Sequence, residues 1–99
     1  MKLRVSARAK QKIRAEDEWW RAERRDAPEL FKQELAAAFD RILVAPKSRK
    51  QHGQIAGVPF WRVLMTRTEQ HVYYTVDDDA AEVIIETVWG ARRKRGPKL

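Results

Sequence analysis

Cysteine is absent from the sequence, and its absence excludes several kinds of chemistry at once. Without thiols the chain can form no disulfide, no thiolate nucleophile and no cysteine-based metal site. The histidines, His52 and His71, have no patterned carboxylates near them in the sequence. We therefore expect neither a bound metal nor another cofactor. A chain without cysteine is also compatible with a reducing compartment.

Long hydrophobic runs are missing as well. After Met1 the chain soon enters charged residues, not the apolar region of a signal peptide. No apolar stretch approaches the roughly 20 residues that a membrane-spanning helix needs. These two observations predict a soluble protein that stays where it is made and has no contact with a membrane.

Acidic residues are outnumbered by basic ones. Lysine and arginine total 21 against 14 acidic residues, which gives a formal net charge of +7 in 99 residues. Such a charge attracts polyanions or acidic protein surfaces and accelerates encounters with them. Charge that serves only solubility is the alternative. The concentration of cations in particular segments favours an acidic macromolecular partner.

The first half of the chain has the pattern of a strand followed by two helices. Residues 3–5 alternate as a short strand, and Ser6 is placed to cap a helix over residues 7–25, which contain neither glycine nor proline. Asp26, Pro28 and Glu29 fit a capping box for a second helix, whose apolar stripe ends at Pro46. Two helices joined by a tight turn predict an antiparallel helical hairpin.

The second half changes to a period of two residues. Residues 60–66, 71–76 and 82–89 read as strands, and Asp77 to Asp79 fit a turn better than a metal site. The predicted order is β-α-α-β-β-β, in a single α+β domain over residues 1–99. We expect a four-stranded antiparallel sheet with the N-terminal helical hairpin packed on one face. The first strand then joins an edge or lies beside the last strand.

Two segments concentrate the excess cations. Residues 47–57 lack periodicity and predict an exposed loop, and residues 91–99 form a C-terminal tail with five cations and no acid. A basic arm of this kind commonly binds an acidic partner. The predicted target-binding residues are basic residues of these segments and of the strand between them, together with the tryptophan that ends the last strand: Arg49, Lys50, Arg62, Trp89, Arg92, Arg93, Lys94 and Arg95.

Four stretches resemble the RelE/ParE superfamily of bacterial toxins. They cover residues 5–9, residues 31–35 with Ala38, residues 71–78 and residues 88–93. The last stretch, with Trp89 followed by Gly90, Ala91, Arg92 and Arg93, looks like the strand-end motif of ParE-like members. The order of elements, the small size and the basic charge agree with this resemblance, which runs through nearly the whole chain.

The resemblance implies the toxin of a type II toxin–antitoxin system, which inhibits growth in the cytoplasm until a cognate antitoxin binds it. ParE-type members bind and poison DNA gyrase, whereas RelE-type members cleave mRNA on the ribosome. RelE-type sites carry a tyrosine near the C-terminus, and this sequence has none after its last strand. We therefore expect a ParE-like protein that binds gyrase without turnover of its own.

Two alternatives remain open at this point. A ribosome-dependent endoribonuclease would use basic residues to stabilise the reacting phosphate, here Lys47, Arg49, Arg62 and Arg92. The third strand places His71 on one face with Tyr73 and Thr75, where the imidazole could act as a base, although a structural role is more common for such a histidine. The other alternative is a nucleic-acid-binding module without toxicity.

Overall fold

The structure, a computed structural model, describes residues 1–93 and 95–99; Lys94, one of the predicted target-binding residues, lies outside the described residues. Neither helix in the described ranges is long and apolar enough to cross a bilayer. Five strands and two helices follow one another along the chain: β1 (Lys2–Val5), α1 (Ala7–Glu23), α2 (Leu30–Val44), β2 (Gly53–Ile55), β3 (Val58–Met65), β4 (Gln70–Asp77) and β5 (Glu82–Gly90).

The strands form one mixed sheet in the order β1-β5-β4-β3-β2. From β2 to β5 the neighbours are antiparallel, as predicted for β3, β4 and β5. β1 instead runs parallel to β5, with Lys2 opposite Glu82 and Val5 opposite Ile85, which corrects the expected wholly antiparallel sheet. Tight turns enforce antiparallel pairing only between the strands that they join, and both helices and three strands separate β1 from β5 along the chain. The α+β class with an N-terminal helical hairpin is confirmed.

The predicted loop over residues 47–57 contains the strand that makes the sheet five-stranded. β2 is only three residues long and pairs with β3 through a two-residue turn at Ala56 and Gly57. Both turn residues have positive φ, 50° and 82°, the geometry that matches the twist of a hairpin. So short a strand shows no periodicity, which explains why the sequence predicted a loop here.

The cap predicted at the start of α1 is confirmed, whereas the cap predicted at the start of α2 is not. Ser6 caps α1 as predicted, because its Oγ accepts a hydrogen bond from the backbone N–H of Ala9 at 3.0 Å. The capping box predicted for α2 is wrong, since the helix begins only at Leu30 and its N-cap Glu29 makes no side-chain cap bond. Instead, the Glu29 carboxylate accepts two hydrogen bonds from the guanidinium of Arg21, at 2.7 and 3.0 Å.

Both helices cover the same face of the sheet. Phe31, Ala38 and Ile42 of α2 are fully buried there against strand residues such as Val72 and Ile85. Successive strand residues point to opposite faces, so the residues between these core positions lie on a face that neither helix covers. This second face is called the open face below.

The turn between β3 and β4 is fastened to α2 by one carboxylate. Glu34 accepts hydrogen bonds from the backbone N–H of Arg67 at 2.9 Å, from the backbone N–H of Thr68 at 2.8 Å and from the Thr68 hydroxyl at 2.7 Å. Partial burial by itself raises the pKa of Glu34, but these hydrogen bonds together outweigh it and hold the pKa below its usual value of 4.5.

Replacing Glu34 with glutamine is expected to lower the free energy of unfolding at neutral pH by about 2 kcal/mol, because several donors lose a charged acceptor. The folded-state pKa is lowered, so this stabilisation is present above pH 4.5 and is lost as the pH falls through the folded-state value. Urea titrations of both proteins between pH 3 and pH 7 test this. Glu18→Gln, an exposed change on α1, is the control, and equal stability of Glu34→Gln and wild type at pH 7 would contradict it.

Candidate functional site

The open face carries a compact group of aromatic and basic side chains, which we call the sheet-face cluster: His52, Phe60, Arg62, His71 and Tyr73. The Tyr73 ring lies at its centre, with ring centroids of His52, Phe60 and His71 at 6.3, 6.0 and 6.1 Å. Tyr73 is only 4% exposed although no helix covers it. Its neighbours in the cluster therefore shield it from solvent.

Strand register and one short hairpin assemble the cluster. Arg62 of β3 pairs directly with Tyr73 of β4, and His71 lies two residues before Tyr73 on the same face, as predicted. The backbone N–H of His52 donates to the carbonyl of Phe60 at 2.8 Å, which brings the two rings to 5.4 Å. Glycine at position 53 lets the Phe60 ring lie close to the β2 backbone, since a Cβ there would lie 2.8 Å from Cε1 of Phe60 and the ring would have to move.

Both imidazoles of the cluster are biased towards the neutral form. Burial is the main cause that lowers the pKa of His71 below 6.5, and the positive charges of Arg62 and His52 add to it. Burial followed by the Arg62 charge likewise lowers the pKa of His52. At neutral pH each ring therefore offers a free nitrogen lone pair beside a permanent cation.

A β-bulge adds a carboxylate to the open face. The pairing of β4 with β5 shifts register between Tyr73 and Tyr74, so that Thr87 lies opposite Tyr73 while Ile85 lies opposite Tyr74. The residue left over is Glu86, whose Oε2 accepts a hydrogen bond from the hydroxyl of Thr75 at 2.8 Å. Bulges commonly re-aim a side chain next to a functional site.

Of the four residues predicted for a catalytic site, only Arg62 lies in the sheet-face cluster. Lys47 pairs with Asp78 at 2.6 Å, beyond one end of β4, and Arg92 pairs with Glu69 at 2.7 Å, beyond the other end. β4 has eight residues, so these two cations are separated by roughly 26 Å of strand. The structure does not bring Lys47 and Arg92 to one reacting group.

The loop before β2 separates two other predicted residues from the cluster. The carbonyl of Arg49 accepts a hydrogen bond from Trp61 Nε1 at 3.1 Å, and Trp61 faces the core. Tyr74, also in the core, donates its hydroxyl to the carbonyl of Pro46 at 2.7 Å. These bonds hold the loop over the end of the core, whereas Lys50 is exposed to solvent.

The remaining predicted residues that the structure describes, Trp89, Arg93 and Arg95, lie close together at the far end of β5. Trp89 pairs across the sheet with His71, and its ring has Lys12 Nζ at 5.4 Å and the Arg93 guanidinium at 4.5 Å. Its Nε1 donates to the carbonyl of Arg95 at 2.7 Å. Aromatic and basic side chains are therefore grouped at this end, next to the sheet-face cluster.

Sequence reasoning missed two members of the cluster. The sequence places His52 in the predicted exposed loop over residues 47–57 and Phe60 at the start of a predicted strand, and neither position indicates a site. The hairpin of β2 and β3 places them beside Tyr73, and its only sequence signal is the glycine at position 57 of the turn. The face shared by His71 and Tyr73 was visible in the alternation of β4.

The cluster has the groups required to cleave RNA through its own 2′-hydroxyl. A neutral histidine can accept the hydroxyl proton, an arginine can stabilise the charge that develops on phosphorus, and a phenol can donate a proton to the leaving oxygen. Aromatic rings in the same cluster can stack against bases. Among the described residues no group of three or more histidine, aspartate or glutamate side chains could hold a metal ion.

The architecture is similar to that of a known toxin. Over 95% of this chain and 87% of the other, the structure matches the crystal structure of the isolated RelE toxin of E. coli, with a TM-score of 0.56 and 20% sequence identity. The chain has the RelE fold. No protein-family model matches the chain, and no curated protein matches its sequence. In this fold, the sheet-face cluster lies on the face that the helical hairpin leaves open, and the Trp89 end adjoins it while also contacting Lys12 of α1.

Proposed function

We propose that this chain is a growth-inhibiting toxin that cleaves RNA, with the sheet-face cluster as its catalytic site. The observation that carries the proposal is the placement of Arg62, His52 and His71 around Tyr73 on an open face. A shallow, uncovered face of this kind admits a polymer, which an enclosed pocket would exclude. The proposal departs from the gyrase-binding activity expected from the sequence, because the sequence did not show the cluster.

The residues divide the reaction among them. His71 takes the proton from the ribose 2′-hydroxyl, whose oxygen attacks the adjacent phosphorus. Arg62 stabilises the negative charge of the phosphorane. The bond from phosphorus to the 5′-oxygen breaks, and the Tyr73 hydroxyl supplies a proton to that oxygen. The products are a 2′,3′-cyclic phosphate and a 5′-hydroxyl, and return of a proton from His71 to the Tyr73 phenolate restores the site.

The fold and the charge support messenger RNA on the ribosome as the substrate and a cognate antitoxin as the partner. The structural neighbour is a toxin, RelE of E. coli. A net charge of +7 favours association with ribosomal RNA and with an acidic antitoxin segment alike. In this proposal the protein acts in the cytoplasm, where both partners are found.

Induced expression in growing cells tests the proposal. We expect growth arrest within one or two generations, together with new messenger RNA ends that carry 5′-hydroxyls and recur at fixed positions within codons. Sequencing of RNA ends after induction measures this directly. Full growth, with an unchanged pattern of RNA ends, would refute the proposal and favour the non-toxic nucleic-acid-binding module.

Binding to DNA gyrase is the second candidate function, and the Trp89 end favours it. There Trp89 lies between Lys12 and Arg93, next to a C-terminal tail without acidic residues. This arrangement suits a contact with an acidic protein surface. Inhibition of DNA supercoiling by purified gyrase, in the absence of any RNA cleavage, would replace the ribonuclease proposal with this one.

A further inference from the structure

A second concave surface lies on the helix side of the sheet, at the end that bears the β3–β4 turn. It is a groove of about 710 Å³ between the second half of α1, the β3–β4 turn and the end of β5. We call it the Trp–Arg groove. Its volume falls in the range of ligand sites, and its lining includes Trp19, Trp20, Arg24, Arg67, Gln70 and Arg92.

One wall of the groove combines aromatic rings with a cation. Trp19 and Trp20 make an edge-to-face pair at 5.6 Å, and the Arg24 guanidinium lies 5.7 and 5.6 Å from their ring centroids. Trp19 is still 48% exposed. An indole that is half in solvent on a helix surface makes little contribution to the core, and its free surface is suited to stacking.

The floor of the groove holds an unused hydrogen-bond acceptor. Gln70 is 6% exposed, and its Nε2 donates to the Glu16 carboxylate at 3.0 Å. This bond fixes the orientation of the amide, because only the NH₂ group can donate to a carboxylate. Gln70 Oε1 is buried and has no partner among the described residues. A buried acceptor without a partner is costly unless a ligand supplies a donor.

The opposite wall adds further cations. Arg67 and Arg92 line the groove, and Arg92 keeps a contact with Glu69 at 2.7 Å while remaining 82% exposed at its side chain. The groove thus offers aromatic surface, guanidinium groups and one buried acceptor. Bases stack on aromatic and guanidinium planes and donate from their edges, and phosphates bind arginine, so this combination suits single-stranded RNA. An acidic peptide would use the arginines but not the stacking surface.

We infer that the Trp–Arg groove binds a nucleotide of the same RNA strand that is cleaved on the open face. This inference rests on the proposed ribonuclease function. The two surfaces meet at one edge, since Gly90 pairs with Gln70 of the groove and Trp89 pairs with His71 of the cluster. Arg93 lines the groove and also lies 4.5 Å from the Trp89 ring, so it connects them. The groove anchors RNA beside the cleaved bond.

Binding of 2′-O-methyl RNA tests the inference without cleavage, because the methyl group blocks the attacking oxygen. Fluorescein-labelled oligonucleotides of three and eight nucleotides are titrated with the full chain at 50 mM salt, and anisotropy reports the dissociation constants. We expect the longer strand to bind at least about tenfold more tightly, since it reaches both surfaces. Trp19→Ala is expected to remove most of that gain, and Trp19→Phe to retain most of it.

Matched variants separate the effect of a cation inside the groove from the effect of the net charge of the protein. Arg24→Gln removes a cation from the groove, and Arg14→Gln removes one from the exposed surface of the same helix outside the groove. We expect Arg24→Gln to weaken binding of the longer strand several-fold more than Arg14→Gln does. Thermal unfolding of each variant verifies that it is folded.

Three results would overturn the inference. The longer strand could fail to bind, or Trp19→Ala and wild type could bind that strand with equal affinity. The third such result is displacement of the strand by a glutamate hexapeptide at a lower concentration than by unlabelled RNA. If Trp19→Ala has no effect but wild type still cleaves ribosome-bound RNA, only the groove inference fails. If the groove binds RNA but wild type leaves RNA intact, only the ribonuclease proposal fails.

Discussion

Replacing His71 with alanine is expected to lower the rate of RNA cleavage by about 10²–10⁴-fold, the usual contribution of a general base. The change removes the imidazole at 6.1 Å from the Tyr73 ring but leaves the strand and its core face in place. Single-turnover cleavage of ribosome-bound messenger RNA by purified protein measures the effect. Arg14→Gln is the control that lowers the net charge outside the cluster, and it should cleave at the wild-type rate.

The pH dependence separates a base from a positioning residue. A neutral imidazole loses its ability to accept a proton as the pH falls through its pKa, and the pKa of His71 lies below 6.5. The rate of wild type should therefore stay high from neutral pH to below pH 6.5 and decline only in more acidic solution. In His71→Ala this acidic limb should disappear or move. Unchanged activity of His71→Ala would assign the base role to His52 or remove the cluster from catalysis.

Replacing Phe31 with alanine is expected to lower the free energy of unfolding by about 4 kcal/mol. Phe31 is fully buried at the start of α2, in the core cluster that joins both helices to the sheet. Removing its ring leaves a cavity that rigid neighbouring strands fill only in part. Domains of this size have total stabilities of about 5–15 kcal/mol, so the variant should be partly unfolded at 37 °C.

Urea denaturation followed by tryptophan fluorescence measures this loss. Val44→Ala is the matched control, since Val44 belongs to the same helix but is 85% exposed. Its effect should stay within about 0.5 kcal/mol. A loss below about 1 kcal/mol in Phe31→Ala would show that the core closes around the missing ring, and would contradict the central position of this residue.

The sequence predicted the fold well where its signals were local. Ser6 capped α1, the alternation in β3 and β4 marked the two faces of the sheet, and the helical hairpin followed from the stripe ending at Pro46. The direction of β1 was not predictable in this way, because it depends on pairing with β5 at a distance of almost the whole chain. The capping box of α2 failed because Arg21, from the other helix, binds the Glu29 carboxylate.

The site was predictable only in part for the same reason. His71, Tyr73 and Arg62 lie on regular strands, so their faces follow from a period of two. His52 lies beside them because its backbone N–H donates a hydrogen bond to the carbonyl of Phe60, and no local sequence pattern predicts this bond. The basic residues Lys47 and Arg92 looked equivalent as charges, yet each is placed by its own carboxylate partner at opposite ends of β4. Composition reveals the charge but not its position.

The parallel pairing of β1 with β5 has a consequence for synthesis of the protein. β1 cannot pair with β5 until β5 has left the ribosome. Bringing together two strands that are so far apart in the sequence also carries a high entropic cost. During translation the nascent chain holds its two helices beside an unfinished sheet, with β1 unpaired. The sheet is therefore completed only after β5 has been synthesised, and until then β1 keeps an unpaired edge that could pair with another chain.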